Sequence, residues 1–216
     1  MELKKNRYPV PMAEARAEIM VMNSRFITSL APASTVDQAQ SFIKRIRAEF
    51  PDASHHVPAF LVGFGESVTA HCSDAGEPSG TAGRPALAVL QGSGLGDVVV
   101  VVTRYFGGTK LGTGGLVRAY SDAVRAVLEV TRRGWKVPTQ TLMMEFPYTF
   151  LERVRRLAAS LQGQVLDEDF TATVMLTVRF PVEKVALFQA GLAELTNGST
   201  RTEIIETSEV LMEEKR

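Results

Sequence analysis

Residues 97–120 read DVVVVVTRYFGGTKLGTGGLVRAY, and the fold is decided there. Five consecutive valines, Val98 to Val102, form a run too short for a helix and rich in β-branched side chains, which predicts a strand buried on both faces. After Arg104, Tyr105 and Phe106 comes Gly107-Gly108-Thr109-Lys110-Leu111-Gly112-Thr113-Gly114-Gly115. From Leu116 the apolar positions Val117, Tyr120, Val124 and Val127 return at helical spacing. The order is strand, glycine loop, helix.

Such an order suits an anion. Glycines bring bare backbone N–H groups close to a ligand, and the start of the following helix adds unpaired donors and the positive end of its dipole. Arg104 and Lys110 flank the loop as full charges, and Tyr105 and Phe106 offer flat faces on which a base could stack. Phosphate or nucleic-acid binding is therefore expected of Arg104, Tyr105, Gly107, Gly108, Lys110, Gly112, Thr113, Gly114 and Gly115. The plain alternative is a glycine-rich connection that only lets strand and helix pack tightly.

Composition bounds the rest. At 216 residues, 45% hydrophobic and 22% charged, the chain has the make-up of a globular protein of one large or two small domains. Net charge is zero, but residues 1–135 carry 15 Lys/Arg against 12 Asp/Glu while 136–216 carry 9 against 12. The first part is thus the better partner for an anion. One cysteine, Cys72, excludes an internal disulfide framework. With no long apolar span and no secretory leader pattern, a cytoplasmic protein without a membrane partner is expected.

Along the chain, residues 1–12 are expected to be poorly ordered or edge-lying because of Pro9 and Pro11. Ala17–Met22 and Phe26–Ala31 predict a hairpin turning at Asn23-Ser24. A helix starting from the Ser34/Asp37 signal and closed by Pro51 follows, then strands His56–Phe64 and Thr69–Ser73 around a turn at Gly63, Gly65 and Glu66. The segment Ser73 to Pro85 is dense in turn formers, with Pro85 opening a short helix Ala86–Gln91. Thr131 to Pro138 reads as a domain boundary, dividing the chain into 1–134 and 135–216. Beyond it the pattern predicts βαββαβ, the ferredoxin-like plan, and a solvated tail Glu213–Arg216. The fold class is α+β.

The P-loop, G-x-S-x-G, H-E-x-x-H and C-x-x-C signatures are absent. What remains is a polar set: His55, His56, His71, Cys72, Asp74 and Glu77. His56, Asp74 and Glu77 are the candidates for moving a proton, although no nucleophile accompanies them. A metal site on His56, His71 and Asp74 is disfavoured because neighbouring strand residues point to opposite faces, and neither a metal nor another cofactor is expected.

Asp74-x-Gly76-Glu77-Pro78-x-Gly80-Thr81-Ala82-Gly83, the valine strand and Arg104-Tyr105-Phe106-Gly107-Gly108-x-x-Leu111-Gly112-Thr113-Gly114-Gly115-Leu116, with Ser24-Arg25-Phe26-Ile27 and His55-His56, together resemble the YigZ branch of the IMPACT family over nearly the whole chain. Thr109-Lys110 stand where many relatives carry two apolar residues. The resemblance implies an N-terminal βαβ domain like the second domain of a small-subunit ribosomal protein. It also implies a C-terminal ferredoxin-like domain resembling one of elongation factor G. Eukaryotic relatives act in translational control during amino-acid starvation. The expected role is accordingly a non-enzymatic binding protein facing RNA, the ribosome or a translation factor. An enzyme acting on a phosphorylated small molecule and a module for a protein partner are the alternatives.

Overall fold

The computed structural model describes residues 7–65 and 67–213. It is α+β, with two antiparallel sheets and, among the described residues, five α-helices. Contacts divide it into one unit built mainly from Tyr8–Trp135 and another mainly from Lys136–Met212. Among the described residues no helix is long and apolar enough to cross a membrane.

The first unit contains β1 (Tyr8–Pro11), β2 (Ala15–Val21), β3 (Ser24–Pro32), α1 (Val36–Glu49), β4 (His55–Val62), β5 (Thr69–Cys72), α2 (Gly83–Gly92), β6 (Val98–Tyr105) and α3 (Gly112–Val130). Its sheet runs β2-β3-β6-β4-β5, so the valine strand is central, with β3 and β4 both antiparallel to it. Val98 to Val102 are all 0% exposed. Val98, Val100 and Val102 pack with α2 and α3, and Val99 and Val101 with α1. Alternation along a strand sends successive side chains to opposite faces, which is why a sheet covered on both sides needs an unbroken apolar run.

Several boundaries differ from the sequence reading. Residues 8–11 form a strand at a sheet edge, the edge-lying alternative expected of a segment with two prolines; Pro9 and Pro11 leave the alternate amides of Val10 and Met12 to donate, and Met12 N–H bonds Arg132 O at 2.9 Å. The hairpin turns on Met22 and Asn23, both at positive φ (45° and 66°), so Val21 pairs with Ser24. Such a two-residue turn matches the twist of the strands it joins. The cap of α1 is Thr35, one residue later than Ser34, its side chain accepting from Gln38 N–H. α2 begins at Gly83, with Pro85 inside its first turn.

The second unit contains β7 (Arg133–Phe146), α4 (Leu151–Ser160), β8 (Gln164–Phe170), β9 (Val174–Pro181), α5 (Val182–Leu195) and β10 (Thr202–Glu213). β7 pairs with β9 and β10, and β9 with β8. Leu142, Met144, Leu176, Val178 and Phe180 face α4 and α5, where Val154, Phe188 and Leu192 complete the core. The segment expected to hold the domain boundary, Thr131–Pro138, is strand from Arg133 onward, so the expected 134/135 boundary falls within β7. β10 extends beyond the expected Thr207 to Glu213; residues 1–6, Glu66 and the tail 214–216 lie outside the described residues.

Candidate functional site

Antiparallel pairing brings the start of β3, the start of β4 and the end of β6 together: Phe26 faces Arg104, and His55 faces the same Arg104 across the sheet. α2 and α3 both begin at this end of the sheet, each in the direction opposite or returning to β6, so two positive helix ends lie near one another. They are treated differently by the sequence.

The start of α2 is closed by Asp74. Its Oδ1 accepts from Ala82 N–H (3.1 Å) and Gly83 N–H (2.8 Å), and its Oδ2 from Gly80 N–H (2.8 Å). Burial pushes this carboxyl up, but the three amides outweigh burial and hold its pKa below the usual aspartate value. Asp74 is thus a cap and not a proton carrier. Asp74→Ala should cost about 1–2 kcal/mol. The sign of its pH dependence follows from the depressed folded pKa. The contribution is complete above the unfolded value, about 3.9, and is lost as pH falls through the lower folded one. Urea midpoints taken between about pH 6 and pH 3 should fall more steeply for the wild type than for Asp74→Asn.

The start of α3 has no such partner. Leu111 supplies no side-chain cap and the first turn carries no acidic residue. Gly112, Thr113, Gly114 and Gly115 belong to this turn and not to the loop before it, so the expected nine-residue loop is a five-residue one. Among the described residues no protein acceptor meets the amides of Gly108, Thr109, Lys110 or Leu111. Gly108, Thr109, Lys110, Gly112, Thr113 and Gly114 are all exposed. Gly108 and Gly112 take positive φ (84° and 68°), a conformation that favours glycine.

The loop is anchored at its root. Phe106 N–H donates to Ser54 Oγ (3.0 Å) and Gly107 N–H to Ser24 Oγ (3.2 Å). A Cβ on Gly107 would lie 2.1 Å from the Asn23 carbonyl, so the β2–β3 turn leaves no room for any other residue.

Arg104 does not offer its charge to the loop. Its side chain is 5% exposed, Nη1 donates to Glu77 Oε1 at 2.6 Å and Nη2 to Ser24 Oγ at 3.3 Å. Its Nε is buried without a partner. Arg104 lies on the α2/α3 face with Val98, Val100 and Val102, and that parity turns it inward. Tyr105 lies on the other face: its hydroxyl donates to Asp52 (3.0 Å) and the Arg25 guanidinium sits 5.8 Å from its ring centre. Phe106 keeps an exposed ring, at 49%, and Lys110 is the exposed cation of the expected set.

Glu77 is the hub beneath. Its side chain is 4% exposed, and Oε1 accepts both from Arg104 and from Tyr120 Oη (2.7 Å). Burial and this bond push the Tyr120 phenol well above its ordinary pKa, so it stays a donor. His55 donates from Nδ1 to Ala75 O (2.9 Å) and brings Nε2 to 3.9 Å from Glu77 Oε1. His56 points to the α1 face, where Nε2 donates to Phe50 O (2.9 Å) and burial lowers its pKa. The expected proton carrier His56 is therefore remote from Glu77, and its neighbour His55 takes that position.

Ser24 and Tyr120 are cluster members that the sequence reading did not assign to the polar set, whereas His55 stood in that set without a role. A tyrosine in the apolar stripe of a helix is the one signal available, since its buried hydroxyl needs a partner. Among the described residues no group of three His, Cys, Asp or Glu side chains is placed to hold a metal ion.

The Impact N-terminal domain family matches residues 22–128, and a domain of unknown function, DUF1949, matches residues 144–199. The chain is 40% identical over 198 residues to IMPACT family member YigZ of Escherichia coli, covering 91% of this chain and 97% of that protein. It is 36% identical to an IMPACT family member of Haemophilus influenzae, covering 94% and 98%. A crystal structure described as a hypothetical protein matches with a TM-score of 0.63 at 39% identity, covering 93% of this chain and 98% of that one.

Proposed function

The chain belongs to the IMPACT family, and from that membership and the open start of α3 we propose a non-enzymatic binding protein of the translation apparatus, cytoplasmic, that meets RNA phosphate or a phosphate-bearing ribosomal surface. One observation carries the reading: of two helix starts at the same end of the sheet, α2 is closed by Asp74 and α3 is left with free, exposed amides. A phosphate supplies the negative charge that the sequence withholds there. Lys110 adds a point charge beside it, and the exposed ring of Phe106 gives a base a surface to stack on.

The test is RNA binding measured by fluorescence anisotropy across a salt series. Lys110→Ala should weaken binding and lower the salt slope by about one phosphate contact. Thr113→Asp puts a carboxylate where the phosphate would sit. It should weaken binding roughly tenfold or more while stabilising the helix by about 0.3–1 kcal/mol. Affinity and slope unchanged in both variants would sink the reading.

A second reading is favoured by His55. With Nδ1 tied to Ala75 O, its other nitrogen faces Glu77 and can take or give a proton, so a phosphorylated small molecule held at the loop could react there. A thermal-shift screen of phosphorylated metabolites separates the two, because a tight ligand raises the midpoint and RNA binding alone predicts no response.

A further inference from the structure

Among the described residues of the second unit, both α-helices, α4 and α5, pack on the same side of its sheet. Its other face is read off the register: Glu145 pairs with Met175, which pairs with Asp169, and Met143 pairs with Thr177, which pairs with Asp167. Thr141 Oγ1 donates to Glu206, which sets that residue on the same face, and Arg201 and Glu203 line a hollow with Met143, Glu145 and Met175. None of these side chains shares the direction of Leu142, Leu176 and Val178, which meet α4 and α5.

The face is acidic and partly apolar. Glu145, Asp167, Asp169, Glu203 and Glu206 are exposed, against two guanidinium groups, Arg179, which is engaged with Glu206 at 3.3 Å, and the exposed Arg201. Asp167 and Asp169 have no ion-pair partner among the described residues. Between the carboxylates, Met175 is 39% exposed and Met143 half-buried. A surface of this sign repels nucleic acid and raises the local concentration of cations.

We propose that this sheet face docks a lysine- or arginine-rich segment of a partner protein, its cations meeting the carboxylates and its aliphatic stems lying over Met143 and Met175. Methionine suits such a surface because its flexible, polarisable side chain adapts to different stems. The face belongs to the second unit and the α3 loop to the first.

The experiment uses the full chain and a labelled lysine-rich peptide interspersed with leucine. The peptide should bind, and binding should weaken as salt rises. The Asp167→Asn/Asp169→Asn pair, both exposed on β8, should lower affinity roughly threefold to tenfold. Lys110→Ala should leave it unchanged, which keeps this result independent of the RNA reading. Equal binding of a glutamate-rich peptide, or an unchanged affinity in the double variant, overturns the proposal. So does self-association of the chain that the same two substitutions abolish, which would make a second copy the occupant.

Discussion

Glu77→Ala is expected to destabilise the first unit by about 3–5 kcal/mol, the usual cost of removing one partner of a buried ion pair. The Arg104 guanidinium would remain enclosed without its carboxylate, already lacking a partner at Nε, and the Tyr120 hydroxyl would lose its acceptor. Arg104→Met should cost a similar amount, since it strands Glu77. Joining Glu77→Leu to Arg104→Met should recover most of the loss, because an apolar pair of like volume often replaces a buried ion pair without penalty. Urea unfolding followed by circular dichroism measures all three. If the two single variants lie within about 1 kcal/mol of the wild type, the cluster is not holding this end of the sheet. The same set bears on function: a double variant that folds but no longer binds RNA would identify the ion pair as the part that positions the loop.

Gly107→Ala is the second large effect, expected at about 3 kcal/mol. The residue is not at positive φ, so its constraint is one of space: the added methyl would lie 2.1 Å from the Asn23 carbonyl and 2.5 Å from the Ser24 nitrogen. Those are backbone atoms of a tight turn and cannot swing aside as a side chain would. The variant should also lose the Ser24 anchor of the loop and therefore RNA affinity. Gly114→Ala is the matched control. Nothing lies within 4 Å of a Cβ there and the residue is in the first turn of α3, so alanine should be neutral or stabilise by up to about 1 kcal/mol. Thermal and urea midpoints of the two variants should move in opposite directions or, for the control, not at all. Equal loss in both would mean that the loop tolerates no side chain anywhere, and the Asn23 contact would not be the reason.

The central strand was legible because five valines leave no other element, and both neighbours of the glycine segment followed from it. What the pattern left open was parity. β4 is apolar at Val57, Ala59 and Leu61 and also at Phe60, so its own residues do not tell which histidine shares a face with Arg104. That is set by pairing with β6, whose Arg104 sits opposite His55. The inward turn of Arg104 has the same origin, since its partner Glu77 lies 27 positions earlier in a loop. The glycines after Leu111 read as loop because glycine is a poor helix former. α3 nonetheless begins at Gly112, its helix held by Leu116, Ala119, Tyr120 and Ala123 against the sheet. β7 hid behind Gly134 and Pro138, which mark a boundary by composition and yet sit within a strand.

The middle of the first sheet is also the last of its five strands to be synthesised. β3 and β4 are made some seventy and forty residues before the strand that joins them, and neither pairs with the other. Until Tyr105 has left the ribosome, both therefore wait with open hydrogen-bonding edges, apart from the flanking hairpins with β2 and β5. A chain interrupted before the valine run would be two separate hairpins and two helices, α1 and α2, lacking the strand that joins their cores, prone to aggregate and open to degradation.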